Sequence, residues 1–253
     1  MPESPAHWKN ESKDPCTMDL RQAMKLRLEK MLTTTRLDRI SFITEAVRGK
    51  RTLDIGCVEN DADHYTREEW LHNHILRAAS GCLGIDILEG EIESLRAKNY
   101  NVRCHDITKA PLDEKFEVIV SGEIVEHIGN IDGLLKNCLQ CLKPGGRLIL
   151  STPYPWFIGV SFRHTFAGMY LPGSLEHVTW YDPANFAELA ARHGYEFEAY
   201  AGIEPLPLRG SFKRNTFEAF AGAIRRGKIP LLTPLSGCRS ILYVLKSPLV
   251  LRR

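Results

Sequence analysis

Short apolar runs alternate along the chain with longer segments in which apolar residues recur at helical spacing. The runs are bounded by polar, glycine or proline residues, as strands are, and they cover residues 52–55, 82–87, 101–105, 116–120, 147–151, 195–201 and 240–246. The spaced segments predict helices at residues 18–32, 37–47, 61–80, 90–98, 131–142, 183–193 and 216–226. This alternation predicts an α/β fold with a seven-stranded, mostly parallel sheet and helices on both faces.

The length of 253 residues suits one α/β domain with insertions. We expect an N-terminal arm and helical lid over residues 1–49 and a ligand-binding core over residues 50–202. A basic insertion, the last strand and a tail are expected over residues 203–253. The aromatic, glycine-containing stretch at 154–181 predicts a lid or substrate-binding insertion within the core.

The turn after the first predicted strand organises the rest of the chain. There, Asp54, Gly56 and Cys57 close a short apolar run and lead into a polar loop. A buried parallel strand delivers such a turn to a ligand at its carboxyl end, and glycine lets the ligand approach the main chain. The alternative is a core strand that ends in an ordinary turn.

Three acids, Asp54, Asp86 and Asp106, fall at or just beyond the carboxyl ends of successive predicted strands. Because that edge of an open α/β sheet binds ligands, we expect the three to share one crevice. An acid that closes the second strand can accept hydrogen bonds from both hydroxyls of a ribose. An acid after the third strand can accept one from an adenine amino group. For each acid alone, the alternative is a polar strand end that serves solubility.

Several motifs occur in a fixed order, namely Thr52–Cys57, Gly84–Asp86, Cys104–Asp106, Phe116–Val120 and Leu142–Gly146. Together they resemble the ordered motifs of class I S-adenosylmethionine-dependent methyltransferases, which implies a Rossmann-like sheet over about residues 50–200. The segment Gly122–Ile128 is similar to the Glu-His segment of ubiquinone-biosynthesis O-methyltransferases. The segments Glu69–His72 and Glu176–Tyr181 resemble methyltransferases found among polysaccharide and lipopolysaccharide biosynthesis enzymes.

The resemblance implies that S-adenosyl-L-methionine is the methyl donor. Its methionine moiety would lie at the Gly56 turn, its ribose at Asp86 and its adenine at Asp106. Ser121 and Gly122 would pass near the sulfonium, and Glu123 or His127 would face the substrate. The implied cofactor-binding residues are Asp54, Gly56, Cys57, Asp86, Ile87, Asp106, Ile107, Ser121, Gly122 and Glu123. A nicotinamide dinucleotide is disfavoured because no Gly-x-Gly-x-x-Gly follows the first strand.

The chain departs from the family pattern just after the first strand. The family usually has a second glycine where Val58 stands and often a third near Asn60. The interval from Asp54 to Asp86 is also longer than usual. We expect the Val58 side chain to crowd the methionine end of the site. A non-catalytic, methyltransferase-like partner subunit is therefore an alternative to an enzyme.

Methyl transfer to an alcohol requires an aligned acceptor and a general base. Histidine suits that role because its pKa lies near working pH. His127 and His177 are the predicted catalytic residues, and His164 is a third candidate. The alternatives are a helix-start residue bonded to backbone for His127 and an ordinary loop residue for His177.

We predict no metal site from the spacing of possible ligands. Cys138 and Cys141 lie within one predicted helix, and no second Cys or His pair stands at zinc spacing. They are expected on a buried helix face. His72 and His74 direct their rings to different sides of a helix.

The charge distribution bears on partners and location. The net charge of +2 predicts no nucleic-acid partner. Residues 205–253 carry ten Lys or Arg and a single acid, which predicts peripheral contact with an anionic membrane, with a solvated surface as the alternative.

No apolar run reaches the ~18–20 residues needed to span a bilayer, and residues 1–9 lack an apolar signal segment. With seven cysteines, an odd number that suits buried reduced thiols, we expect a cytoplasmic protein, peripheral at the inner membrane face.

The acceptor is the least specified part of the function. Similarity to polysaccharide-associated enzymes predicts O-methylation of a sugar in a glycan, glycolipid or related small molecule. Similarity to the ubiquinone-biosynthesis branch makes a lipophilic quinone or phenol the alternative acceptor.

Overall fold

The computed structural model describes residues 12–59, 63, 65, 67–166, 174–203, 212–228 and 233–249. The helices are α1 (Met18–Met31), α2 (Arg39–Val47), α3 (Leu71–Ala78), α4 (Glu89–Ala97), α5 (Ile131–Cys141), α6 (Ile158–Phe166), α7 (Pro183–Arg192) and α8 (Phe212–Arg225). The strands are β1 (Arg51–Ile55), β2 (Gly81–Asp86), β3 (Val102–Cys104), β4 (Phe116–Gly122), β5 (Leu142–Pro153), β6 (Glu196–Ile203) and β7 (Ser240–Lys246).

The strands form a single seven-stranded sheet in the order β3-β2-β1-β4-β5-β7-β6. The first five strands of that order pair in parallel, and β7 runs antiparallel to both β5 and β6. The predicted Rossmann-like, mostly parallel sheet is therefore confirmed. The chain enters at β1 and builds outward in both directions, so the topological switch point lies beside β1, where such sheets bind ligands.

Apolar clusters cover both faces of the sheet. On one face, α5 and α7 bury Leu134 and Phe186 against the sheet, and on the other, α2 and α3 bury Ile43 and Ile75. Within β4, Ile119 belongs to the first cluster and its neighbours along the strand to the second. Burial on both faces explains why the parallel strands read as unbroken apolar runs.

Three elements begin more than two residues away from the predicted position. The helix predicted at 61–80 is shorter, because α3 begins only at Leu71 after Trp70 has packed into the core. The strand predicted at 147–151 begins at Leu142, because β5 continues across Gly145 with a register shift against β4. The helix predicted at 216–226 begins at Phe212.

The N-terminal segment packs along the β6 edge of the sheet. Leu32 and Leu37 form parallel bridges with Tyr200 and Ile203, and the Thr33 N–H donates to the Tyr200 carbonyl at 3.0 Å. This segment covers the outer edge of β6, which would otherwise present unpaired backbone groups. The division of the chain at 49/50 and 202/203 stays a prediction.

The predictions for the basic segment and the cysteines meet the structure only in part. Of residues 205–253, those at 205–211, 229–232 and 250–253 lie outside the described residues. Five of the seven cysteines are buried, including both in α5, whereas Cys16 and Cys104 are exposed. Within the described part of the chain, none of the helices has the length and apolar content needed to cross a bilayer.

Replacing Phe186 by alanine tests the packing of the antiparallel end of the sheet. Phe186 in α7 stacks on Tyr243 in β7 with ring centroids 4.4 Å apart, and both side chains are fully buried. We expect Phe186→Ala to lower the free energy of unfolding by about 3–5 kcal/mol, since it leaves a cavity. Urea unfolding followed by circular dichroism measures this. Phe166→Ala, at an exposed position, is the matched control, and an equal loss in both variants would contradict the packing.

Candidate active site

A cleft of about 800 Å³ opens at the carboxyl ends of β1, β2 and β4. The loops that follow β3 and β4 form its walls, and residues 176 and 177, in the segment before α7, close one side. Of the predicted site residues, those that line the cleft are Gly56, Asp86, Ile87, Asp106, Ile107, Gly122, Glu123, His127 and His177. The sheet edge therefore brings together most of the residues that the sequence singled out.

The turn after β1 requires glycine at its centre. Gly56 adopts a φ of +78°, and its N–H donates to the Ile85 carbonyl at 2.8 Å. A Cβ added at this position would overlap the Ile124 side chain, which packs over the turn from the segment after β4. Only glycine combines this backbone conformation with such a close approach.

The prediction that Val58 crowds the cleft is wrong. The Val58 side chain is fully buried in a cluster with Trp70, Ile92 and Leu95, on the core side of the turn. Trp70 supports the turn from below, because its indole N–H donates to the Cys57 carbonyl at 2.9 Å. The segment between β1 and α3, which makes the interval from Asp54 to Asp86 long, thus ends in Trp70, and Trp70 stabilises the turn. Val58 gives no structural reason to regard the site as lapsed.

Three predicted cofactor residues, Asp54, Cys57 and Ser121, do not line the cleft. Asp54 is 3% exposed and meets the buried ring of His72, with Oδ2 and Nδ1 2.8 Å apart. Cys57 and Ser121 are also buried, and burial raises the pKa of the Cys57 thiol. Successive side chains of a strand point to opposite faces, so a residue near a strand end does not necessarily face the cleft.

The carboxylate of Asp86 joins the first two strand ends. Its Oδ1 accepts the Ile87 N–H at 2.7 Å and the Leu88 N–H at 3.2 Å. Its Oδ2 accepts the Val58 N–H at 3.2 Å. A carboxylate has about four lone-pair sites, so acceptor capacity remains on the side that faces the cleft.

Asp106 lies beyond β3 and is held by its own turn. Its Oδ1 accepts the Thr108 hydroxyl at 2.6 Å, and its Oδ2 lies 3.0 Å from Lys109 Nζ. Partial burial opposes these contacts, yet the hydrogen bonds from Thr108 and Lys109 hold the pKa of Asp106 below its usual range. The carboxyl is therefore ionised at neutral pH, as an acceptor for an amino group requires.

Arg39 reaches the cleft from the start of α2, and the sequence analysis did not predict it as a site residue. Its Nη1 lies 3.9 Å from Glu123 Oε1 and 3.5 Å from the Ser151 hydroxyl. Glu123 itself adopts a φ of +57°, rare outside glycine. Burial raises the pKa of the Glu123 carboxyl against the lowering influence of Arg39. No local signal marks Arg39, because only the packing of α2 on the sheet brings it here.

Glu126, His127 and His177 form a compact cluster on the wall opposite the turn. Glu126 and His127 belong to a 3₁₀ helix, Val125–His127, directly after β4. The rings of His127 and His177 meet edge to face, with centroids 4.8 Å apart. One ligand atom from each of the three residues lies within 4.8 Å of the others. A carboxylate and two imidazoles are a donor set that binds divalent cations.

The electrostatics of the cluster fit a bound cation. Burial and the neighbouring charge of Glu123 raise the pKa of Glu126 to about 8. Burial and His127 lower the pKa of His177, although Glu176 acts in the opposite sense. Within the described residues, His177 Nδ1 is buried and has no hydrogen-bond partner. A cation would relieve both the crowded carboxylates and this unpaired nitrogen.

The prediction of no metal site stays a prediction, although the cluster brings together three possible ligands. Spacing along the chain does not reveal it, because His177 follows His127 by fifty positions. The backbone brings them together: the Val178 N–H donates to the Glu126 carbonyl at 2.8 Å, and the Thr179 hydroxyl donates to the Val125 carbonyl at 3.2 Å. The third candidate base, His164, is exposed on α6 and does not line the cleft.

Comparison with protein families identifies the domain. The family described as "Methyltransferase domain" matches residues 25–200. A ubiquinone biosynthesis O-methyltransferase of Coxiella burnetii is 25% identical over 189 residues, covering 69% of this chain and 76% of that protein. The mitochondrial ubiquinone biosynthesis O-methyltransferase of Rattus norvegicus is 29% identical over 101 residues, covering 38% of this chain and 29% of that protein.

Solved structures agree on the fold. A putative methyltransferase from Bacillus halodurans superposes with a TM-score of 0.55 at 14% identity, over 84% of this chain and 100% of that chain. The N-methyltransferase NodS from Bradyrhizobium japonicum, solved with S-adenosyl-L-homocysteine, superposes with a TM-score of 0.50 at 12% identity, over 96% and 99% of the two chains. The match over most of the sheet, with the strand order and the cleft, shows that the chain belongs to the methyltransferase family and is a class I S-adenosyl-L-methionine-dependent methyltransferase.

Proposed function

We propose that the cleft transfers a methyl group to a hydroxyl oxygen of a small acceptor positioned at Glu126, His127 and His177. The observation that carries this proposal is the position of the cluster, on the cleft wall formed by the segment after β4. Hydroxyl oxygens need a group that removes or stabilises their proton, whereas the donor side of the reaction needs none.

On the donor side, three residues have suitable chemistry and position. Asp86 offers acceptor capacity to ribose hydroxyls, and Asp106 offers an ionised carboxylate to an adenine amino group. Arg39 is a cation that lines the same cleft as Gly56, and a guanidinium pairs well with the carboxylate of a methionine moiety. We therefore assign the ribose hydroxyls to Asp86, the adenine amino group to Asp106 and the methionine carboxylate to Arg39.

The donor supplies an already activated methyl group, so the chain has to align the acceptor oxygen, take up its proton and exclude water. Without a cation, His177 suits proton uptake because its lowered pKa favours the neutral imidazole. With a cation on the cluster, His177 would be a ligand and the cation would activate the hydroxyl instead. The bonds from Val178 and Thr179 to the 3₁₀ helix hold His177 against His127. A divalent cation on the cluster would lower the pKa of a hydroxyl that it binds.

The surroundings of the cluster favour a lipophilic phenol or quinone precursor over a sugar. Leu175, Val178 and Trp180 flank His177 and are all exposed. Such side chains suit an apolar acceptor, and two of the relatives bear the name ubiquinone biosynthesis O-methyltransferase. A sugar stays the second candidate. The exposed Glu176 carboxylate, 3.7 Å from His127 Nδ1, can accept hydroxyl hydrogen bonds, and Trp180, which meets His177 edge to face, offers a ring for stacking.

An acceptor assay with tritiated donor tests the proposed reaction. We expect label to pass to an alkyl-substituted catechol, because its hydroxyls are acidic enough for the cluster to deprotonate and its chain meets apolar side chains. Monosaccharides and their alkyl glycosides are the comparison acceptors. Transfer to glycosides and not to the catechol would contradict the phenol assignment, and transfer to neither would contradict the proposed oxygen acceptor classes.

Metal removal tests the role of the cluster. After dialysis against EDTA, we expect kcat to fall at least about a hundredfold and to recover with Mg²⁺ or Mn²⁺. In Glu126→Gln the added cation should not restore kcat, because one anionic ligand is lost, while affinity for S-adenosylhomocysteine stays the same. His164→Ala is the matched control, since His164 lies outside the cleft. Full activity after dialysis would rule out cation assistance.

A further inference from the structure

A second groove, of about 530 Å³, lies between α1, the end of β5 and the start of α7. Its volume falls in the range of small-molecule sites, ~300–1,000 Å³. Its lining is mainly apolar, and the residues that form it include Leu20, Met24, Leu28, Tyr154, Tyr200 and Leu235. Four of these (Leu20, Tyr154, Tyr200 and Leu235) are less than a tenth exposed and form the floor.

The sequence of α1 explains the wall of the groove. Leu20, Met24 and Leu28 recur every four residues and therefore lie along one helix face. Arg21 directly follows Leu20 and Lys25 directly follows Met24, and both cationic residues also line the groove. Lys25 pairs with Glu29 at 3.7 Å, whereas Arg21 has no ion-pair partner within the described residues. Two acids also line the groove, but Glu29 pairs with Lys25 and Asp182 caps the start of α7, so Arg21 is the cation at the rim of an apolar floor.

The groove adjoins the candidate active site across the end of β5. Pro153 lines the cleft, and the next residue, Tyr154, lines the groove. Trp156 stands at the groove mouth, 59% exposed, and its indole N–H donates to Asp182 Oδ2 at 3.3 Å. The cleft and the groove are therefore lined by consecutive residues at the carboxyl end of β5.

We propose that this groove binds the apolar chain of an amphiphilic acceptor whose anionic group pairs with Arg21. The inference rests on the proposed function for the identity of the reacting end. Apolar burial accounts for the chain, since each buried methylene contributes ~0.8 kcal/mol. The guanidinium accounts for a carboxylate or phosphate, which it binds through paired hydrogen bonds. A groove so lined selects one lipid-like molecule and not a polar glycan.

Titration of the full chain with farnesyl phosphate tests the proposal without any methyl transfer. We expect saturable quenching of tryptophan fluorescence that disappears in Trp156→Phe, because Trp156 stands at the groove mouth. Met24→Glu should weaken binding at least about tenfold, since it places a charge in the apolar wall. Arg21→Ala should weaken farnesyl phosphate several-fold and leave farnesol unaffected. Inorganic phosphate alone should not compete.

Calorimetric titration with S-adenosylhomocysteine is the parallel control. Its affinity should be the same in wild type, Met24→Glu and Arg21→Ala, which also shows that the variants fold. If Met24→Glu fails this control, Met24→Gln, which keeps the Trp156 reporter, takes its place in the farnesyl phosphate titration. Unchanged affinity for farnesyl phosphate in a folded groove variant would overturn the proposal. So would binding only to anionic phospholipid vesicles, which would indicate a membrane surface instead. Absence of S-adenosylhomocysteine binding in wild type would contradict the proposed function alone.

Discussion

Parallel pairing of β1 with β2 on one side and β4 on the other is the constraint on which the site depends. Ile55, at the end of β1, lies opposite Ile85 in β2 and Ser121 in β4. This register places three strand ends at one level, so that the loops after them converge. The turn at Gly56 is bonded to β2 through the Ile85 carbonyl. The crevice is therefore a consequence of strand order and register, and its side chains are fixed by the sheet beneath them.

The sequence predicted those parts of the fold and site that depend on local pattern. Buried strands are continuous apolar runs, so the parallel strands β1, β2 and β4 and the antiparallel strand β7 could be placed within one or two residues of their observed bounds. Asp86 and Asp106 could be placed at the cleft because they close or follow such strands. A glycine within a tight turn after β1 was likewise visible in the sequence.

What depended on side-chain direction or distant contact could not be predicted. Val58 turns into the core and Asp54 meets His72, because the pleat and the turn, not the strand position, decide where each side chain points. Arg39 and His177 reach the cleft only through the packing of α2 and of the insertion. The three possible metal ligands of the cluster include residues fifty positions apart, which no spacing rule joins.

The cleft also brings together two acidic side chains of like charge. Glu123 and Glu126 are near neighbours, and burial raises the pKa of both. Arg39 near Glu123 and the Thr152 hydroxyl, 3.0 Å from Glu126 Oε2, offset part of that cost. Sites that perform chemistry often keep such electrostatic crowding, because a ligand of opposite charge relieves it. The proposed reaction therefore takes place beside the two carboxyl groups whose pKa burial raises, those of Glu123 and Glu126.

Calorimetric titration of S-adenosylhomocysteine into the wild-type chain and Asp86→Ala tests the central claim most directly. The account predicts one site per chain and a loss of roughly ten- to a hundredfold in affinity for the variant, since a charged acceptor contributes about 1.5–3 kcal/mol. Asp113→Ala, at an exposed position outside the cleft, should bind as the wild type does. Equal affinity in Asp86→Ala and wild type would show that the ribose does not lie at the end of β2, and the account would be contradicted.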